Sequence, residues 1–271
     1  MNAPDPMAWF ELMPGDGAGL MVVAIPYAGG AGRSLRRIRP FLPPECGLAL
    51  VDLPGHGRRM TEPCLRDADD VVSGLREALP ALPADRLVLM GYSMGGRLAY
   101  ELAAELTTTA VTGDLATHWP RVEGLIVCGA RAPQTGLGHP PVAGLPPGEP
   151  FLRAAVDVGL AAPEMLELPE LANIFAGALQ ADLSIVENYR YRQRPQLTVP
   201  TCVVGFRGDW LVPEPSLRAW DEVCRYPPLH RRVDGGHLAL HEREREFGEA
   251  VRAGVDHILG ARREPRRAPV G

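Results

Sequence analysis

Hydrophobic and polar positions along the chain fall into a repeating order. Continuous apolar runs of strand length alternate with stretches whose apolar residues recur every three to four positions. Leu20-Met21-Val22-Val23-Ala24-Ile25 has no polar alternation, as expected of a strand buried on both faces of a parallel sheet. Leu48-Ala49-Leu50-Val51-Asp52 predicts a second strand. Asp67 then opens a helix with Val71, Val72, Leu75 and Leu79 on one face. Leu87-Val88-Leu89-Met90 predicts a third strand, followed at once by a helix with Met94, Leu98, Ala99, Leu102, Ala103 and Leu106 on one stripe. Gly124-Leu125-Ile126-Val127-Cys128-Gly129, Thr201 to Phe206 and Leu229 to Val233 predict further strands. A last helix carries Phe247, Val251, Val255, Ile258 and Leu259. Strand and helix in alternation predict the α/β class, a mostly parallel sheet flanked by helices with right-handed crossovers.

The rhythm breaks twice. Residues 107–121 lack clear periodicity and read as a loop. From about Ala130 to Arg194 the strands stop: a Pro/Gly-rich segment, Gln134 to Pro150, precedes helical stretches around Phe151–Val158 and Glu170–Tyr191. The reading is a core in two parts, 1–130 and 195–260, with a helical lid insertion at 131–194. Residues 261–271 form an Arg/Pro tail expected to be disordered.

Composition narrows the function. The 271 residues carry a net charge of −5, which gives no electrostatic argument for nucleic acid. All 28 basic residues are Arg, so no lysine can act as base or Schiff-base group. The five cysteines lack metal-ligand spacing and read as reduced thiols. The start lacks a signal-peptide pattern and no apolar run is long enough to span a membrane, which predicts a cytoplasmic protein.

Candidate chemistry sits at the ends of the predicted strands. Gly91-Tyr92-Ser93-Met94-Gly95 is a Gly-x-Ser-x-Gly between strand and helix, where a sharp turn exposes the Ser93 hydroxyl at the positive helix N-terminus. Pro26-Tyr27-Ala28-Gly29-Gly30 follows the first strand. It has no phosphate-loop signature, and it suits an oxyanion loop whose donors are the backbone amides of Ala28 and Met94. Asp209 follows a late strand and His237, in Asp234-Gly235-Gly236-His237, follows the last. In a parallel sheet those ends share one edge. Ser93, His237 and Asp209 thus form a candidate nucleophile, base and orienting carboxylate.

Competing assignments are weaker. His56 follows the wrong strand and sits in a turn; Asp234 lies three residues from His237; Asp182 belongs to the insertion; His230, His241 and His257 have no glycine turn. Arg33, Arg36, Arg37 and Arg39 form a basic cluster after the first loop. It reads either as a solvated helix face or as a docking patch for an acidic partner.

These pieces together resemble the type II thioesterases, the free-standing editing enzymes of polyketide synthase and nonribosomal peptide synthetase pathways, which have the α/β-hydrolase fold. The resemblance rests on Pro26-Tyr27-Ala28-Gly29-Gly30, Asp52-Leu53-Pro54-Gly55-His56-Gly57-Arg58, Gly91-Tyr92-Ser93-Met94-Gly95-Gly96, Leu179-Gln180-Ala181-Asp182 through Glu187-Asn188-Tyr189-Arg190-Tyr191, Gly208-Asp209 and Gly235-Gly236-His237. Position 27 departs, being Tyr where the family usually has His. The resemblance implies hydrolysis of acyl thioesters on the phosphopantetheine arm of acyl or peptidyl carrier proteins through an acyl-Ser93 intermediate. It implies no metal, no other cofactor, no nucleic-acid or membrane partner, and a monomer. A carboxylester hydrolase, an acyl transferase or cyclase, or a non-catalytic carrier-binding protein on the same fold are the alternatives, and the sequence leaves acyl preference open.

Overall fold

The computed structural model describes residues 5–17, 19–112, 119–167 and 169–261. Seven strands, β1 (Phe10–Met13), β2 (Leu20–Ile25), β3 (Gly47–Val51), β4 (Arg86–Tyr92), β5 (Arg121–Cys128), β6 (Thr201–Phe206) and β7 (Leu229–Val233), form one sheet in the order β1-β3-β2-β4-β5-β6-β7. All neighbours pair in parallel except β1, which runs antiparallel to β3 at the edge. The expected α/β-hydrolase architecture is present. The sequence reading missed β1, a four-residue strand whose place is set by β3 beside it rather than by its own pattern.

Every residue of β2, β3 and β6 is buried, because helices cover both faces. On one face α1 (Ala68–Ala78) and α2 (Met94–Thr112) bring Val71, Leu75, Leu98 and Leu102 onto Val23, Leu89 and Val127. The alternate residues Val22, Met90 and Ile126 meet Leu35, Ile38, Phe247 and Val251 on the other. Asp67 caps α1 by accepting the Asp69 amide at 2.8 Å.

Two local expectations change. The loop predicted from Thr107 is the end of α2, which runs to Thr112; residues 113–118 lie outside the described residues. Thr107 and Thr108 turn their hydroxyls back to the carbonyls of Ala103 and Ala104, each at 2.7 Å, which satisfies these polar groups within the helix. The arginine-rich stretch is a 3₁₀ helix over Gly32–Phe41, and its buried residues Gly32, Leu35 and Ile38 recur every third position, the period of that helix.

Between β5 and β6 the chain leaves the sheet to form α3 (Glu149–Asp157) and α4 (Pro169–Asn188). Phe151, Ala155, Leu179 and Leu183 join these helices in a small apolar cluster of their own. After β6 come α5 (Glu214–Arg218) and α6 (Trp220–Val223); after β7, α7 (Ala239–Glu242) and α8 (Glu244–Gly260). The tail from residue 262 lies outside the described residues. No helix among the described residues is long and apolar enough to cross a membrane.

Candidate active site

β4 lies at the centre of the sheet, and the turn after it is built by glycines. A Cβ on Gly91 would come within 1.9 Å of the Gly95 carbonyl oxygen, and one on Gly95 within 2.3 Å of that of Ile25. Strand and helix can pass this closely only without side chains. Ser93 between them has φ +52°, the only positive φ of a non-glycine residue among the described residues. That strained backbone lifts its hydroxyl to the start of α2.

His237, on the loop after β7, stands between Ser93 and Asp209. Its Nδ1 lies 2.8 Å from Asp209 Oδ2 and its Nε2 2.8 Å from Ser93 Oγ. A carboxylate accepts only, so the ring donates from Nδ1 and leaves Nε2 to accept the serine proton. Asp209 is buried, and its other oxygen accepts the amides of Leu211 and Val212 at 3.0 and 3.2 Å. Both carboxylate oxygens are therefore held. Tyr92 fixes the histidine loop from below, its hydroxyl donating to the His237 carbonyl at 2.6 Å.

The loop after β2 faces Ser93 across the same cavity. Gly29 N–H donates to Asp182 Oδ2 at 2.7 Å and Gly30 N–H to the Tyr27 carbonyl at 2.9 Å, so both of these amides are taken. Ala28 carries the remaining amide of that turn. Met94 opens α2, so its N–H has no acceptor within the helix. Ala28, Met94, Ser93 and His237 all line the cavity. The Tyr27 ring packs edge-on against Tyr92, and its hydroxyl is hydrogen-bonded to His241 at 2.9 Å.

The rival residues lie elsewhere. His56 is buried with its Nε2 3.0 Å from Asp182, His230 meets Asp221 at 2.7 Å, and Asp234 pairs with Arg207 at 3.0 Å. Burial opposes charge on His56, yet the Asp182 carboxylate outweighs it and raises the imidazole pKa above its usual value. Asp182 thus ties α4 to the Gly29 turn and to the loop after β3. Asp52 makes a second tie, accepting Gly32 N–H at 3.1 Å and Arg58 Nε at 2.9 Å. The sequence displayed both aspartates within its motifs but gave neither a role, since their partners lie on other loops.

The arginine cluster divides. Arg37 pairs with Glu244 at 2.8 Å and Arg39 donates to the Pro14 carbonyl at 3.0 Å, whereas Arg33 and Arg36 are exposed. Three residues apart on a 3₁₀ helix, these two share one face. Among the described residues no His/Cys/Asp/Glu group is arranged to hold a metal, and all five cysteines are free.

The cavity holds about 640 Å³ and is lined mostly by apolar groups, among them Leu160, Met165, Leu179 and Leu183 from the helical insertion. Two cations, Arg97 and Arg131, also line it. Neither was singled out in the sequence, although Arg97 lies one helical turn beyond Ser93 on α2 and so faces the same way.

The thioesterase domain family matches residues 21–254. The chain is 32% identical over 218 residues to the AMB antimetabolite synthetase AmbE of Pseudomonas aeruginosa, a match that covers 80% of this chain and 10% of that much longer protein. It is 27% identical over 253 residues to the thioesterase PikA5 of Streptomyces venezuelae, covering 93% of this chain and 85% of that one. The structure resembles that of the type II thioesterase BorB from the borrelidin biosynthetic cluster, with a TM-score of 0.78 at 25% identity over 95% of this chain and 100% of the other. A family match running from β2 into α8, on a fold shared with BorB over the whole of that chain, gives the assignment: the chain belongs to the thioesterase family, with type II thioesterases as its relatives, and is a hydrolase of thioester bonds.

Proposed function

We propose that the chain is an editing enzyme that hydrolyses acyl thioesters on the phosphopantetheine arm of acyl or peptidyl carrier proteins, clearing aberrant acyl groups in polyketide or nonribosomal peptide assembly. The observation that carries the chemistry is His237 held 2.8 Å from both Asp209 and Ser93.

Ser93 Oγ attacks the thioester carbonyl carbon while His237 Nε2 takes its proton, and the amides of Ala28 and Met94 hold the oxyanion. The carbon–sulfur bond breaks, His237 returns the proton to the departing thiolate, and the acyl group stays on Ser93. Water then attacks that ester, giving its proton to His237; the acid leaves and Ser93 recovers its hydrogen. Asp209 offsets the imidazolium charge in both halves. No step calls on a metal or an organic cofactor held by the enzyme. One chain supplies every group, which supports a working monomer, and the insertion at 131–194 closes the acyl cavity as a lid.

Carrier proteins of this kind are generally acidic. The exposed Arg33 and Arg36, beside the loop that carries Ala28, are the docking surface in this reading; Arg37 and Arg39 are held by the enzyme itself.

The test is release of free acid from a short acyl group loaded on a carrier protein, by wild type and Ser93→Ala, beside the matched carboxylester. Turnover by wild type alone, faster on the thioester, supports the proposal. An inert carrier substrate with a cleaved ester would replace it with a carboxylester hydrolase.

A further inference from the structure

Arg97 and Arg131 converge on one point of the cavity wall. Arg97 Nη2 donates to the carbonyls of Thr135 and Gly136 at 3.1 and 3.3 Å, and Arg131 Nε donates to the same Gly136 carbonyl at 2.8 Å. Arg131 Nη1 also reaches the Leu211 carbonyl at 3.0 Å. Two guanidinium groups thus share an acceptor, and each raises the other's electrostatic cost.

Neither forms an ion pair with any described carboxylate. Arg97 is 8% exposed, and its guanidinium carbon Cζ lies over the Tyr189 ring, 5.3 Å from its centre. Glu101, beyond that ring, is occupied by the Tyr189 hydroxyl at 2.5 Å and by Arg194 at 2.6 Å. Asp209 acts on Arg131 only at longer range, and its oxygens are taken by His237, Leu211 and Val212. Glu164 also lines the cavity but is exposed and pairs with neither arginine. Burial, with Arg131 adding to it, pushes the Arg97 pKa down to about 10, so it is still a cation at neutral pH. A buried cation of this kind, without a counter-charge, is costly to keep. Both residues line the same cavity as Ser93.

We infer that Arg97 and Arg131 are the binding site for a carboxylate at the far end of the acyl group, so that the enzyme's substrates include half-thioesters of dicarboxylic acids. The inference rests on the thioesterase reading and adds the acyl class to it. Arginine's planar fork matches a carboxylate in a bidentate pair, and the surrounding apolar wall excludes the water that would weaken it. Arg97 is buried on the cavity wall and one turn from the nucleophile, a position suited to the acyl chain rather than to the phosphate at the other end of the arm.

Pantetheine thioesters, which lack that phosphate, test it. Propionyl and malonyl, then valeryl and glutaryl, are pairs that match in chain length and differ in ending as methyl or carboxylate. Wild type should favour the carboxylate at one of these lengths by on the order of tenfold or more in kcat/KM. Arg97→Gln and, separately, Arg131→Gln should bring that ratio toward one, and Arg97→Lys should recover part of it. Thermal melting of each variant reports folding, while the wild-type ratio needs no variant at all. Hydrolysis of the methyl-ended esters with no preference for carboxylate at either length would overturn the site and leave the thioesterase reading standing. Arginine variants that slow both members of a pair alike would also overturn it. Losses confined to substrates on 4′-phosphopantetheine, whatever the acyl group, would reassign the pair to the phosphate. If wild type cleaves none of these thioesters, the proposed function fails and the acyl assignment fails with it.

Discussion

Asp182 on α4 accepts the Gly29 amide at 2.7 Å, which ties a helix of the insertion to the turn that carries Ala28. The same carboxylate lies 3.0 Å from His56, itself on the loop after β3. Three segments far apart in the chain meet on one buried side chain. The position of the Ala28 amide, the oxyanion donor proposed above, therefore depends on a residue that is not among those lining the cavity.

Asp182→Ala is expected to lower stability by about 3–5 kcal/mol, because it strands the buried His56 imidazole and removes the acceptor of the Gly29 amide. It should also lower kcat more than it raises KM, since a displaced Ala28 amide harms the transition state more than substrate binding. Urea unfolding and steady-state kinetics on one thioester measure both. A kcat unchanged in a folded variant would show that the tie does not set the oxyanion geometry.

The His56–Asp182 pair should leave a mark on the pH dependence of stability. Folding raises the His56 pKa, so the folded state favours the protonated ring. The resulting stabilisation is complete below the ordinary imidazole value of 6.5 and is lost as pH rises through the higher folded value. The unfolding free-energy difference between wild type and His56→Gln should accordingly shrink with rising pH. A difference that grows with pH contradicts this origin.

Ser93→Ala should reduce kcat by about 10⁶-fold and Asp209→Asn by about 10⁴-fold. The aspartate is worth less because it orients and balances His237 without bonding to the substrate. Burst kinetics with a chromogenic thioester would show an acyl-enzyme in wild type and none in Ser93→Ala. Near-equal residual rates in Ser93→Ala and wild type would rule out serine nucleophilic chemistry.

Charge reversal at Arg33→Glu with Arg36→Glu should raise KM for a carrier-bound acyl group, more so at low salt, and leave a small free thioester unaffected. The same reversal at Arg37 would break its pair with Glu244 on α8 and so confuse docking with stability. Equal effects on both substrates would remove docking from this face.

The legible part of the molecule was local. Continuous apolar runs give β2, β3 and β6 because a strand covered on both faces needs apolar residues at every position. Gly91 and Gly95 announce the turn at Ser93 because a Cβ at either would strike backbone. Asp209 and His237 could be chosen because, in a parallel sheet, strand order alone places their loops on one edge. Even the three-residue spacing of Gly32, Leu35 and Ile38 is on display in the chain, and it is the period of the 3₁₀ helix found there.

What tertiary structure decided depends on pairs with no local trace. β1 is a strand only because β3 offers it an edge, and α2 runs on through threonines whose hydroxyls are satisfied by carbonyls one turn back. Asp182 acquires its role from His56 and Gly29, which come from two other loops. Arg97 and Arg131 become a paired cation site only where the loop carrying Gly136 folds between them. A side chain's charge is written in the sequence, but whether that charge is neutralised depends on its neighbours in space, and those are set by packing across the whole sheet.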